Sequence, residues 1–349
     1  KNIMTLDADE ILNDDSIDII VEAMGGINPA YELIMKALRS GKHVVTANKA
    51  VVSKYLREFT QTAADNNVAF LYEASVGGGI PWVKAIKQAK RIDEITEVKG
   101  IFNGTSNFIL YNMFEKGYDF SDILKIAQEK GYAESDPSAD IDGIDIQRKL
   151  AITSSLAFDT IIEEENIPTF GIRNVTKTDI DFFKKNNKTL KLIALSVRSG
   201  DEYCSCVEPV LYSNNTLGAN VSENYNMGSL TGDSIGELKF YGQGAGKLPT
   251  GNAVVQDIID IYTGGYKNYP YSFDKTMKLN QALIKGKYYV RFSNTAASAI
   301  LKDVTESSYD LPLSESYAVI TKDLSLKEAH KLFKEIEKSE SSFFYARYN

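Results

Sequence analysis

The chain contains 349 residues, of which 43% are hydrophobic and 25% are charged. These values are typical of a globular protein and exclude a disordered or fibrous chain. The net charge of −8 argues against a nucleic-acid-binding protein. No apolar run approaches the roughly 20 residues of a membrane span, so we expect no membrane partner. The first ten residues contain no apolar stretch typical of a signal peptide, which favours a cytoplasmic location.

The first part of the chain alternates apolar strands with helices. An apolar run over residues 17–23 ends before Gly25 and Gly26, which is typical of a buried parallel strand. The elements predicted after it are a helix over 29–39, a strand over 43–46, a helix over 50–66 and a strand over 68–72. This strand–helix alternation predicts an α/β protein with a doubly wound parallel sheet.

Beyond residue 77 the pattern changes to helices mixed with longer strands. The predicted helices lie over 81–90, 105–115, 121–130, 143–158 and 250–262. The predicted strands lie over 92–102, 190–198, 203–212 and 238–241. We therefore expect an α+β substrate and dimerisation domain over residues 78–245, with the helix near 246–265 returning to the first domain, residues 1–77. The last part, residues 285–349, differs again, with strands over 288–292, 317–320 and 342–348 and an amphipathic helix over 325–337.

The cysteine and histidine counts restrict the chemistry further. Cys204 and Cys206 are the only cysteines, and alternate positions of one strand make a poor disulfide. Two buried or half-buried thiols in a reducing compartment are the favoured interpretation. The chain has only two histidines, His43 and His330, which weakens a histidine-based zinc site or a Ser-His-Asp triad.

An acidic segment precedes a predicted helix. Five carboxylates lie within the twelve residues from Glu134 to Asp145. They fail the calcium-loop pattern, since position 6 counted from Asp136 is Ile141 rather than glycine. On the helix, Asp145 and Lys149 are four residues apart and must be neighbours. They could form an ordinary surface ion pair, or a lysine general acid/base held by a carboxylate.

Other candidate positions follow strands or contain glycine. Asn48 and Lys49 come at the carboxyl end of the 43–46 strand, where open α/β sheets bind ligands. The triple glycine 77–79 permits a close backbone approach, and with Glu73 it could either turn the chain or hold a hard cation through oxygen ligands. The segment 242–247, GQGAGK, matches neither a Walker loop nor G-x-G-x-x-G, and alone it is a weak indication of phosphate binding.

Taken together, these segments resemble homoserine dehydrogenase. The matching stretches occur in the family's order and are VEAMGGINPA, VVTANKA, LYEASVGGGIP, GIFNGTSNFIL, GYAESDPSADIDGIDIQRKL and YGQGAGKLPTGNAVVQDI. They cover most of residues 17–263. The resemblance implies reduction of L-aspartate 4-semialdehyde to L-homoserine with NAD(P)H, on the route to threonine, methionine and isoleucine.

The resemblance also implies roles for individual residues. Lys149 would be the catalytic lysine that exchanges a proton with the substrate oxygen, and Lys49 a second active-site lysine near substrate and cofactor. Glu134 and Asp145 would hold the amino end of homoserine, with backbone from Gly131. A substrate that carries an ammonium group needs carboxylate partners of this kind.

The resemblance implies two further sets of ligands. A monovalent cation, usually sodium, would be held by Glu73 with the backbones of Val76, Gly78 and Ile80. The cofactor contacts would be Gly25, Gly26, Asn48, Lys49, Gly242, Gly244, Ala245 and Gly246. The family further implies a homodimer or homotetramer.

The chain departs from the family pattern at both ends. The first strand, its G-x-G-x-x-G turn and the ribose-binding acid should precede VEAMGG, but only sixteen residues precede Ile17. We therefore expect a Rossmann-type domain that is incomplete at its N-terminus. Residues 285–349 resemble a shortened ACT domain, a ferredoxin-like βαββαβ module.

Three hypotheses of function remain open at this point. The first is an active homoserine dehydrogenase. The second is a non-catalytic homologue or truncated form that cannot bind dinucleotide, and the third is another amino-acid semialdehyde dehydrogenase or reductase on the same scaffold. Cofactor titration and a substrate panel discriminate between them.

Overall fold

The computed structural model describes residues 4–268, 272–311 and 315–348. The chain divides into two compact units. Unit 1 contains residues 1–95, 148–165 and 230–276, and unit 2 contains residues 96–147, 166–229 and 277–349. The predicted domain ranges 1–77, 78–245 and 285–349 stay predictions, and their residues 1–3, 312–314 and 349 lie outside the described residues.

The described chain contains both helices and strands. The helices are α1 (Ala8–Leu12), α2 (Ala30–Arg39), α3 (Lys49–Asp65), α4 (Trp82–Ala89), α5 (Gly104–Lys116), α6 (Phe120–Glu129), α7 (Ser138–Ile141), α8 (Ile144–Phe158), α9 (Lys177–Lys185), α10 (Lys247–Tyr262), α11 (Thr295–Leu301) and α12 (Leu326–Ser339). The strands are β1 (Ile19–Glu22), β2 (His43–Thr46), β3 (Phe70–Leu71), β4 (Ile95–Ile101), β5 (Lys188–Ser199), β6 (Glu202–Ser213), β7 (Tyr225–Gly232), β8 (Gly236–Gln243), β9 (Lys278–Leu279), β10 (Lys285–Gly286), β11 (Tyr288–Phe292), β12 (Thr305–Leu311), β13 (Ser316–Thr321), β14 (Leu324–Ser325) and β15 (Phe344–Tyr348).

Unit 1 is built on a parallel sheet of order β1-β2-β3. The crossover helices α2 and α3 connect its strands, as a doubly wound sheet requires. Helix α10 belongs to the same unit, and its Ile261 packs with Val45 and Leu71 of the sheet in one apolar cluster. The predicted α/β class with a Rossmann-like sheet is confirmed.

Unit 2 contains a large mixed sheet in which β12, β13, β11, β15, β6, β5 and β4 follow one another. Its longest pairing is the antiparallel hairpin β5–β6, in register from Lys188↔Ser213 to Ser199↔Glu202. Gly200 closes this hairpin with φ +57°, a left-handed conformation that suits glycine. Cys204 and Cys206 lie on β6. Both are free and buried in an apolar cluster, in agreement with the prediction.

Apart from the two-residue strand β14, the last part of unit 2 has elements in βαββαβ order, from β11 through α11, β12, β13 and α12 to β15. Helix α12 begins with a capping box, in which Ser325 and Glu328 exchange side-chain and backbone hydrogen bonds. Strand β15 pairs with β11 on one side and with β6 on the other. The assignment of this part to the ACT class stays a prediction.

Candidate active site

A cavity of about 560 Å³ lies at the carboxyl ends of β1 and β2 in unit 1. It is lined by Ala23, Met24, Gly25, Gly26, Ile27, Ala47, Asn48, Lys49, Ala50 and Arg148. Gly25 and Gly26 have φ of +96° and +76°, so both adopt a conformation in which side chains are strained. The cavity therefore brings together four residues that sequence reasoning assigned to cofactor binding, at the edge where such sheets bind ligands.

A buried carboxylate holds this cavity in shape. Glu22, only 4% exposed, accepts hydrogen bonds from Thr46 Oγ1 at 2.5 Å and from the Met24 backbone at 2.7 Å. Asn48 Nδ2 donates to the Gly26 carbonyl at 2.7 Å, while Asn48 Oδ1 caps the N-terminus of α3. Asn48 thus ties the glycine turn to the start of the helix on which Lys49 is the first residue.

Two glycine-rich segments of unit 1, residues 77–79 and 242–246, contact each other through their backbones. A Cβ atom at Gly78 would lie 2.4 Å from the carbonyl carbon of Gly244, and one at Gly79 would lie 2.9 Å from Pro249. The Gly79 amide donates to the Gln243 carbonyl at 3.0 Å. Gly246 then begins α10 with φ +122°. The segment 242–246 is therefore fixed against the turn after Glu73, with a helix N-terminus directly behind it.

Glu73, assigned above to a cation site, lies buried at the start of α4. Its carboxylate accepts backbone hydrogen bonds from Val83 at 2.9 Å and Lys84 at 2.8 Å, and so caps that helix. Its own amide donates to Asp257 Oδ2 at 2.9 Å. Burial, together with the neighbouring Asp257 charge, raises the pKa of Glu73 to about 7. Burial likewise raises the pKa of Asp257 to about 6.

The acidic segment of unit 2 separates into surface and buried carboxylates. Glu134 is exposed, close to Gly131, which has φ +71°. Asp136 lies on the surface, where hydrogen bonds from Ser138 lower its pKa. Asp142 forms an ion pair with Arg173 at 2.6 Å. Asp136 and Asp142 therefore lie in a solvated part of the segment and contact other surface residues.

Asp145 is instead buried, with 4% exposure, in the first turn of α8. Asn103 Nδ2 donates to Asp145 Oδ2 at 2.9 Å and to Asp140 Oδ1 at 2.6 Å. Lys149 follows one turn later on α8 and is also buried, with 9% exposure. Both side chains are thus much less exposed than those of the ordinary surface ion pair that the spacing alone allowed.

Sequence reasoning missed three residues that shape these sites. Asn103 holds Asp145, Glu22 holds the cavity loop, and Asp257 accepts from Glu73. Glu22 could have been recognised as a charged residue ending an apolar strand. Asn103 and Asp257 give no such signal, because their partners lie 42 and 184 residues away in the chain.

In residues 4–268, 272–311 and 315–348, no group of three or more His, Cys, Asp or Glu side chains could hold a metal ion. Across the same part of the chain, every helix is too short or too polar to cross a membrane.

The fold and the glycine-bounded cavity define a protein of the dinucleotide-binding α/β class. The model of the homoserine dehydrogenase family matches residues 81–259, and that of the homoserine dehydrogenase NAD-binding domain matches residues 1–73. The chain therefore belongs to the homoserine dehydrogenase family.

Individual relatives agree with this assignment. Homoserine dehydrogenase of Synechocystis is 42% identical over 74% of this chain and 61% of the relative, and that of Bacillus subtilis is 36% identical over 75% and 60%. The chain thus spans about three fifths of these curated relatives. The crystal structure of a homoserine dehydrogenase from Thiobacillus denitrificans has a TM-score of 0.88 at 33% identity, covering 99% of this chain and 85% of that one. A hyperthermophilic archaeal homoserine dehydrogenase in complex with NADPH has a TM-score of 0.66 at 26% identity, covering 77% and 78%.

Proposed function

We propose that the protein interconverts L-aspartate 4-semialdehyde and L-homoserine with NAD(P)H, as a step of amino-acid biosynthesis. Family membership supports this reaction, as does the buried Asp145–Lys149 helix turn, which offers both a carboxylate for an ammonium group and a lysine for a proton. The buried turn is the observation that carries the proposal.

The residues of unit 1 fit a dinucleotide. The cavity has a glycine turn with positive φ, an amide-capped helix start and Lys49, and the 242–246 segment presents backbone before α10. We assign cofactor contacts to Gly25, Gly26, Asn48, Lys49, Gly242, Gly244, Ala245 and Gly246. When bound, the dinucleotide supplies hydride to the aldehyde carbon or accepts it from the alcohol. The NADPH named for the archaeal structure supports the same cofactor type.

The substrate roles follow from charge. Lys149 gives a proton to the substrate oxygen during reduction and takes it back during oxidation. Lys49, half-buried at the cavity, is assigned a second catalytic position. Glu134 and Asp145 accept hydrogen bonds from the substrate ammonium, and Gly131 contributes backbone. Charge-assisted hydrogen bonds of this type orient the substrate for hydride transfer.

We also propose a monovalent cation, such as Na⁺, at Glu73, Val76, Gly78 and Ile80. An all-oxygen set suits a hard cation. The Glu73 carboxylate already accepts two backbone N–H groups, and the Ile80 carbonyl accepts from Trp82 at 2.7 Å, so the cation would use their remaining lone pairs. At equal ionic strength, NaCl should raise the unfolding temperature above that in choline chloride. Equal temperatures would contradict the site.

The assay is oxidation of L-homoserine with NAD⁺ or NADP⁺, followed by absorbance of the reduced cofactor. We expect turnover of homoserine and much weaker turnover of 4-hydroxybutyrate, which lacks the ammonium group. Equal turnover of both would favour a different dehydrogenase on this scaffold. Failure of calorimetry to detect either dinucleotide would favour the non-catalytic homologue.

We further propose that the protein works in the cytoplasm as a homodimer or homotetramer. The free buried thiols Cys204 and Cys206 are compatible with a reducing compartment. Burial raises the pKa of Cys204 to about 12, which keeps that thiol protonated and unreactive. Sedimentation equilibrium measures the oligomeric state directly, and a monomer at all concentrations would contradict this part of the proposal.

A further inference from the structure

The residue that precedes α5 is an asparagine whose side chain makes two separate sets of hydrogen bonds. Asn103 is buried, with 4% exposure, and is the N-cap of α5, where its Oδ1 accepts from the Ser106 amide at 2.7 Å. The opposite end of the same side chain, Nδ2, donates to Asp140 and Asp145 at 2.6 and 2.9 Å. The acceptor of the amide thus serves the helix, and its donor serves two carboxylates.

This arrangement fixes the orientation of the amide. A flipped Asn103 would point its oxygen at both carboxylates and its NH₂ at the Ser106 N–H, so every contact would become repulsive. The N-cap bond therefore determines that the two N–H groups face the carboxylates. Helix α5 thereby acts as a rigid support for the side chain of Asp145.

The side-chain NH₂ of Asn103 also bridges two carboxylates that lie close to each other. Asp140 and Asp145 both contact one neutral amide, and like charges so close together repel each other. Because the donor is neutral, Asn103 holds both carboxylates without adding a positive charge between them. An arginine or lysine at position 103 would instead satisfy the carboxylates itself.

We infer that Asn103 is a positioning residue that orients Asp145 toward the substrate ammonium group and so sets the preference for an amino-acid substrate. This inference rests on the proposed function, in which Asp145 binds that ammonium. Neighbouring contacts of the same helix support it, because Thr105 Oγ1 donates to the Tyr132 carbonyl at 2.6 Å and so holds the loop between Gly131 and Glu134.

The variant Asn103→Ser separates the two roles. Serine is a good N-cap and retains an acceptor for the Ser106 amide, but it is too short to donate to both carboxylates. Hydrogen bonds to charged groups make differences that correspond to about tenfold to a hundredfold in affinity. We therefore expect KM for L-homoserine to rise about tenfold or more, with kcat at saturation changed only a few-fold.

The decisive readout is specificity. The ratio of kcat/KM for L-homoserine to kcat/KM for 4-hydroxybutyrate should fall by about the same factor as KM for L-homoserine rises. The analogue has no ammonium group, so its binding does not depend on the contact with Asp145. Asn294→Ser is the matched control, since Asn294 caps α11 in the same way through the Ala297 amide at 2.7 Å. This control should leave the ratio unchanged.

Three results would overturn the role of Asn103. These are an unchanged ratio in Asn103→Ser, an equal change in Asn294→Ser, or normal KM in Asn103→Asp, which keeps the cap acceptor and replaces the donor with a third carboxylate. The aspartate variant also decides the matter if the serine variant does not fold. Absence of turnover in the unmodified protein would overturn the proposed function, and with it the need for a positioned Asp145, so the two failures are distinguishable.

Discussion

Lys191 is an ionisable residue whose side chain is almost completely shielded from solvent. Its side chain is 1% exposed on β5, and its Nζ donates to Asn107 Oδ1 at 2.9 Å and to the Val221 carbonyl at 2.5 Å. Both acceptors are neutral, so they only partly replace water around an ammonium group. Burial accordingly lowers the pKa of Lys191 from 10.5 to about 7, against a small opposing effect of Glu115.

This lowered pKa predicts a pH-dependent stability. Between pH 7 and 10.5 the unfolded chain holds a proton on Lys191 that the folded chain has released. The free energy of unfolding contributed by Lys191 therefore rises with pH across this window, by up to about 1.4 kcal/mol per pH unit, and the cost of burying the charge is fully present below pH 7.

Comparison of the unmodified protein with Lys191→Met isolates this effect. The difference in unfolding free energy, measured by chemical denaturation from pH 6 to 10, should increase in favour of the unmodified protein. Lys125→Met, at an exposed lysine of α6, should give a difference that is constant with pH. A constant difference for Lys191→Met would show that this lysine stays charged in the fold.

At the scale of elements, the turn at residues 77–79 depends on backbone contact with the glycine-rich segment 242–246. Gly78 has φ +60°, and a Cβ there would lie 2.4 Å from Gly244. Gly41 has a similar φ of +74° but open space around it. Alanine at either position would strain the backbone, but only alanine at position 78 would force residues 77–79 and 242–246 apart.

Gly41→Ala should therefore cost about 1 kcal/mol of unfolding free energy, from backbone strain alone. Gly78→Ala should cost about 1–3 kcal/mol more through overpacking and should weaken NAD(P)H binding. Denaturation and calorimetric titration measure the two effects. Equal costs for the two variants, with unchanged cofactor affinity, would contradict the close packing of these segments.

The C-terminal strand β15 is held by a buried ion pair in addition to its backbone pairing. Arg347 Nε donates to Glu208 Oε1 at 2.5 Å, and Glu208 is 1% exposed. Arg347→Met would leave an uncompensated charge in the core, which costs about 3–5 kcal/mol. The double variant Arg347→Met with Glu208→Leu should recover much of this loss in chemical denaturation. A double variant as unstable as the single one would exclude this explanation.

The elements that could be predicted from the sequence are those with a clear apolar period. The strands over 43–46 and 288–292 have the predicted bounds, and α8 differs by one residue. Strand β3 is shorter than the predicted 68–72. Two of the missed elements lack that period. Strand β12 is largely exposed and polar, and α11 consists mostly of small residues.

For the site, the sequence predicted residues that the structure brings together at the strand ends, but not the residues that support them. Gly25, Gly26, Asn48 and Lys49 do line one cavity. The hydrogen bond between Glu22 and Thr46, and that between Asn103 and Asp145, join distant segments, so their partners are not encoded by periodicity or local propensity.

At the scale of the whole molecule, the chain divides into two units that contain different candidate residues. Unit 1 contains the parallel sheet, the glycine turns and Lys149, and unit 2 contains Asp145, Glu134 and the large mixed sheet. Membership of the homoserine dehydrogenase family is the finding that joins these features into one proposed reaction.

The most direct test of the proposed reaction is the kcat of Lys149→Ala in homoserine oxidation. Loss of a general acid/base should lower kcat by about 10²–10⁴-fold while the circular dichroism spectrum and the affinity for NAD(P)H are retained. Lys125→Ala serves as the control and should keep full activity. Near-normal turnover by folded Lys149→Ala would contradict the account.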